Sequence, residues 1–148
     1  MIRIPEQAIA LIKKWEGFSP RPYKCPGGHL TIGYGHLIRP NETFPAEITE
    51  EQAEEILMAD ILRVIISIRR LLKPEVFYIL NDNQLSALIS FVFNVGSAAF
   101  QRSTLRQKLN RFEFADAADE FPRWVYSGGK RLRGLVLRRL EERRLFNA

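Results

Sequence analysis

Between Thr49 and Leu72 the chain repeats apolar side chains at three- and four-residue spacing: Ala53, Ile56, Leu57, Ile61, Val64, Ile65, Ile68, Leu71 and Leu72. That period belongs to an α-helix. Thr49, with Gln52 three residues on, forms a capping box at its start, and Glu50 and Glu51 suit the positive end of the helix dipole. Pro74 stops it. About 23 residues at ~1.5 Å each span roughly 35 Å. In a chain of 148 residues such a helix runs the width of the molecule, so it joins two lobes and leaves a cleft between them. Its first half is expected beside a sheet. Its second half, apolar nearly all round, is expected inside a helical lobe.

The flanking segments fit this division. Pro5 suits the first turn of a helix, and Ala8, Leu11, Ile12 and Trp15 make one apolar face behind it. Gly17 and the pairs Ser19-Pro20 and Arg21-Pro22 end that helix and leave Glu16 at its C-terminal edge. From 26 to 45 the text changes: Pro26-Gly27-Gly28 is a turn, Leu30 to Tyr34 reads as a strand, and Pro40-Asn41 is another turn. A small antiparallel sheet of two or three strands is expected. In extended backbone Thr31, Gly33 and Gly35 share a face, which the glycines leave open to close approach. Asn81 with Gln84 caps a helix through Leu85, Leu88, Ile89, Val92 and Phe93, which Gly96 ends. Ser103 caps a segment to Asn110; further helices are expected at 112–121 and 134–146. The fold class is α+β, mostly α, in one domain over 1–148. The β lobe is expected at about 17–48, the connecting helix at 50–73, and the helical lobe at 74–148 with the N-terminal helix.

Apolar residues make up 46% and charged residues 26%, which excludes a disordered chain. A net charge of +5 favours a polyanionic partner without choosing among nucleic acid, lipid and cell wall. Arg123, Lys130, Arg131, Arg133, Arg138, Arg139, Arg143 and Arg144 face only Glu141 and Glu142 nearby, and such a run reads first as a solvated helical face. Cys25 is the single cysteine, so no internal disulfide forms and a reducing compartment of synthesis fits. Ala8–Ile12 is too short for a secretory signal, and Leu62–Ile68, interrupted by Arg63 and Ser67, is too short for a membrane span. Synthesis in the cytoplasm without a signal peptide or stable membrane insertion is expected.

The dense chemical text lies between Trp15 and His36, WEGFSPRPYKCPGGHLTIGYGH. Glu16 sits beside Trp15 and Phe18, whose cover would disfavour a charged carboxylate, and a protonated carboxyl is what glycoside cleavage requires. A solvated glutamate at a helix end would read the same from position alone. The whole string, however, resembles the lysozymes and endolysins of tailed bacteriophages (glycoside hydrolase family 24). Those share a Glu, then eight residues, an Asp or Cys, then five residues and a Thr: here Glu16, Cys25 and Thr31. TIGYGH at Thr31–His36, Asn83-Gln84, FNVG at Phe93–Gly96, Ser103-Thr104-Leu105, and Trp124 through GGK to GLVLRRLEER are similar in order to the family's landmarks.

The resemblance implies the lysozyme-like fold and muramidase activity on the β-1,4 bond between N-acetylmuramic acid and N-acetylglucosamine. Glu16 is then the acid, and Thr31 orients a water. Cys25 stands where aspartate is commoner; as thiolate it activates water or attacks carbon, as thiol it holds water, and as a turn residue it does neither. Leu37, Phe93 and Ser103 resemble cleft-lining, substrate-binding residues of the family; Phe93 reads equally as core. The resemblance also pairs His36 with Asp60 and brings one of Arg133, Arg138 and Arg139 to Glu16; His29 is expected to be exposed. It implies peptidoglycan as substrate, and a holin for passage of the inner membrane. No cofactor, metal or nucleic-acid partner is expected, and the chain is expected to be monomeric. A lytic transglycosylase, which needs one acid and lets a substrate hydroxyl attack, is the alternative enzyme. A non-catalytic basic module binding cell wall or nucleic acid through the C-terminal arginines is the alternative from another class.

Overall fold

The computed structural model describes residues 2–148. In chain order it contains α1 (Glu6–Glu16), β1 (Ser19–Lys24), β2 (Leu30–Gly33), β3 (His36–Leu37), α2 (Glu50–Leu71), α3 (Pro74–Phe77), α4 (Asp82–Val95), α5 (Ser97–Arg102), α6 (Thr104–Asn110), α7 (Phe114–Ala118), a 3-10 turn (Phe121–Arg123), β4 (Tyr126–Ser127), β5 (Lys130–Arg131) and α8 (Arg133–Phe146). A three-stranded antiparallel sheet, order β1-β2-β3, packs on the first half of α2; the helices gather round its second half. The α+β, mostly helical architecture read from the sequence is the one found.

Local rules account for the long elements. Thr49 accepts from the Gln52 amide, and the Gln52 side chain returns the bond to Thr49; Asn81 and Gln84 do the same for α4. Ser103 caps α6 by accepting from the Arg106 amide. α4 is the centre of the molecule, with Ser86 to Val92 all buried and α1, α2 and α8 packed around it.

The structure departs from expectation at several points. α2 ends at Leu71, and Leu72 is already extended. Its second half is not enclosed all round, because Leu62 and Ile66 lie on an outer face and are exposed. The prolines of 19–24 do not merely end α1. They lie in the edge strand β1, inside an irregular stretch between the Ser19–Gly33 and Tyr23–Thr31 pairs, where a missing amide hydrogen leaves no ladder bond unmade. The helix expected at 112–121 is cut to Phe114–Ala118, because Phe112 adopts φ 60°, a left-handed conformation that a helix cannot contain.

Candidate active site

Glu16 is the last residue of α1, and Gly17 turns the chain away from it at φ 70°. Two contacts seat its carboxyl. One oxygen accepts a bond of 2.6 Å from the Arg138 guanidinium on α8. The rest of the carboxyl lies over Gly35: a Cβ added there would come within 2.7–2.9 Å of Oε1, Cδ and Cγ. Gly35 also has φ +76°, so both its conformation and its missing side chain are needed. The cover expected from Trp15 and Phe18 is not what is found. The Trp15 indole donates to Glu141 on α8, and Phe18 packs on Tyr34 and is partly exposed.

Behind Glu16 lies a sealed set of charges. Arg138 donates to the Ser90 carbonyl at 3.1 Å and faces Glu142 at 3.4 Å. Glu142 accepts from the Ser90 hydroxyl at 2.6 Å and from Arg139 at 2.5 Å. Arg139 also donates to the Trp124 carbonyl and to Asn94 Oδ1, and lies over the Phe91 ring. Burial pulls the Arg139 guanidinium down from its usual value, opposed by the charge of Glu142. Burial likewise pushes the Glu142 carboxyl up, opposed by Arg139 and Arg138. Glu142 thus meets both guanidiniums, and Arg138 alone reaches on to Glu16. The expected solvated arginine face is thus corrected at Arg138 and Arg139: both are buried, because acids and carbonyls on α1, α4 and the 124 segment receive them.

A groove runs past Glu16 between the lobes, walled by Cys25, Thr31, Gly35, Leu37, Phe93 and Trp124 among others. Glu16, Cys25 and Thr31 therefore meet in one place. Cys25, half-buried, opens a turn in which its carbonyl accepts from the Gly28 amide and its amide donates to the His29 carbonyl. Thr31 is buried rather than on an open face. Its hydroxyl donates to the His29 carbonyl at 3.0 Å, which leaves its lone pairs able to accept from water. Of the presumed open strand face, Gly33 is closed by Ala53 and Ile48, and Gly35 by Glu16 itself.

Leu37 and Phe93 wall the groove; Ser103 does not. It is buried, its hydroxyl bonded to the Phe100 carbonyl and the Arg106 amide. His36 bonds Asp60 at 2.7 Å and also Glu42 at 2.9 Å, a partner not foreseen. His29 is exposed but belongs to the groove wall. Sequence reasoning missed Tyr23, which faces Thr31 across the sheet. Burial pushes its phenol above the usual range, and the charges of Glu16 and Cys25 add to this. Its place opposite Thr31 was hidden by the proline-rich text around it. Tyr126 was also missed, and Trp124 was named only as a landmark of the resemblance and not as a wall of the groove, although the two stand at alternate positions just before the Gly128-Gly129 turn signal.

Comparison with known proteins places this arrangement. The model of the family described as phage lysozyme matches residues 13–142. An endolysin of Bacillus phage PZA is 41% identical over 99% of this chain and 56% of its own length, so the chain spans little more than half of that relative. An endolysin of Acyrthosiphon pisum secondary endosymbiont phage 1 is 40% identical over 99% of both chains. Among solved structures, the muramidase domain of SpmX from Asticaccaulis excentricus superposes with a TM-score of 0.83 and 31% identity, over 100% of this chain and 99% of that one.

Proposed function

Because this chain belongs to the phage lysozyme family, we propose that it is a peptidoglycan hydrolase, an endolysin that cleaves the β-1,4 bond between N-acetylmuramic acid and N-acetylglucosamine. The observation that carries this reading is the seat of Glu16. Its carboxyl is held between Arg138 and Gly35, at the edge of a groove shared with Cys25 and Thr31.

Glu16 gives its proton to the glycosidic oxygen as the bond to the anomeric carbon breaks. Arg138 then holds the carboxylate left behind through a charge-assisted bond. A water that donates to Thr31 and Cys25 attacks the anomeric carbon, and the proton it loses passes to the Glu16 carboxylate, which restores the acid. Among the residues walling the groove Glu16 is the one carboxylate, so the two-carboxylate arrangement of most glycosidases is absent here. Cys25 stands in the second position. Leu37 and Phe93 supply apolar contacts to the sugars.

Glu16→Gln should abolish clearing of purified peptidoglycan; retained clearing removes Glu16 from the mechanism. Cys25→Ser should cut activity strongly, whereas Cys25→Asp restores the commoner residue and is tolerated. The lone carboxylate also suits a lytic transglycosylase. Mass spectrometry of the fragments separates the two, since hydrolysis adds water and leaves reducing ends while transglycosylation leaves anhydro sugars. Among the described residues no helix is long and apolar enough to cross a membrane. Passage to the wall through a holin, and action as a monomer, complete the proposal.

A further inference from the structure

The acid of the proposed reaction shares its guanidinium with a second, hidden carboxylate. Every nitrogen of the Arg138 fork is engaged. Nη1 donates to Glu16 at 2.6 Å and Nη2 to the Ser90 carbonyl at 3.1 Å, while Nε faces the Ser90 hydroxyl at 3.3 Å and Glu142 at 3.4 Å. The Ser90 hydroxyl in turn donates to Glu142 at 2.6 Å. Glu16 and Glu142 therefore meet one cation from different sides, the first at the groove wall and the second fully buried.

A guanidinium bonded to a carboxyl does two things: it fixes the oxygens in place, and it favours their charged form. The first helps a general acid and the second works against it, because the proton must still be there when the glycosidic oxygen arrives. Glu142 supplies a charge of the opposite sign. Among the described residues Glu16 and Glu142 are the acids that pair with Arg138. Arg139 is drawn away by Glu142, Asn94 and the Trp124 carbonyl. Cys25 and His29 line the groove with Glu16, and Tyr23 on β1 feels its charge, but the bonds of Arg138 go to Glu16, Ser90 and Glu142. In an interior closed to water and salt, the field of Glu142 reaches across the guanidinium with little screening.

We propose that Glu142 is a positioning residue for the reaction, whose charge offsets that of Arg138 so that the guanidinium fixes the Glu16 carboxyl without stripping its proton. The inference rests on the hydrolase reading above. The test follows kcat/KM on purified peptidoglycan against pH and, in parallel, the NMR titration of the Glu16 carboxyl. Glu142→Gln keeps the shape and the acceptor for Ser90 but removes the charge. The alkaline limb of its activity and the release of the Glu16 proton should both move down by about one pH unit. Loss of folded enzyme by itself scales kcat/KM alike at every pH and leaves the limb in place. Arg139→Gln with Glu142→Gln removes one buried charge of each sign, which spares the fold, and should keep most of the displacement because Arg138 stays unopposed. Glu120→Gln removes a buried acid paired with Lys108 elsewhere in the helical lobe, and should leave the limb as in the wild type. An unmoved limb in both Glu142 variants, or an equal movement in Glu120→Gln, overturns the proposal. A displaced NMR titration in a protein whose wild type cleaves no peptidoglycan would instead overturn the hydrolase reading and leave the charge coupling standing.

Discussion

The two walls of the groove are held by opposite means. The sheet lobe buries few apolar side chains, chiefly Ile32, Tyr34 and Ile48, and depends on a polar clamp in which His36 bridges Asp60 on α2 and Glu42 in the following loop. The helical lobe surrounds α4 with a continuous apolar core and seals Arg138, Arg139 and Glu142 within it. One clamp turns on a ring that can lose its charge in the ordinary pH range; the other consists of permanent cations whose acids must all be present. Glu16 is rooted in the helical side and seated on Gly35 of the sheet side. Its position is therefore defined only while both walls hold.

The sharpest way to break this contrast is to unbalance the sealed set. Glu142→Gln leaves two buried guanidiniums with Glu16 as their only acid, and should lower stability by about 3–5 kcal/mol in urea denaturation. A loss below about 1 kcal/mol would mean that water reaches the cluster and the wall is not sealed.

Next in size is Gly35→Ala. A Cβ at φ +76° is strained and meets the Glu16 carboxyl, so the acid must move; a displacement of this kind should cost about a hundredfold in kcat. Gly96→Ala is strained in the same way at φ +92° but meets nothing within 4 Å, and should lose stability of about 1–2 kcal/mol while keeping its rate. Equal rates in both variants would show that the seat on Gly35 is dispensable.

The pH response of the sheet wall follows from His36. The bond it donates to Asp60 pushes its imidazolium above the ordinary value, against the pull of burial and with help from Glu42. A folded state that holds the proton more tightly than the unfolded chain gains its full stabilisation below the unfolded value of about 6.5, and loses it as pH rises through the higher folded one. His36→Asn should therefore cost about 2 kcal/mol near pH 5 and less near pH 9, measured by urea denaturation at both. A cost independent of pH would mean that packing, not charge, makes the clamp. The smallest effect is expected at Ile66, on the outer face of α2: Ile66→Lys should change thermal stability by no more than about 0.5 kcal/mol.

Much of the frame was legible before any coordinates, and the reasons are particular. Thr49 with Gln52, and Asn81 with Gln84, are signals complete within four residues, and the long apolar stripes between them repeat often enough to be unmistakable. α3, α5 and the β4–β5 hairpin are too short to show a period. β1 was concealed because its prolines are tolerated only through an edge position and an irregular register, facts that belong to the neighbouring strand. At the site, Glu16, Cys25 and Thr31 could be named from the string that holds them. Ser103 could not be separated from the groove in that way, since the same hydroxyl serves equally as a helix cap.

The three side chains that share the groove were named by the resemblance of the string that holds them. The lengths and ends of the principal helices, and the presence of a small sheet, follow from the residue order itself. These depend on periods, caps and turn residues, whose physics acts within a turn or two of chain. Which arginine meets Glu16, from 122 residues away, was settled only in three dimensions. So was the burial of one part of a basic run while another part stays exposed. A charge takes its state from the partners and solvent around it, and those come from elements that are distant along the chain.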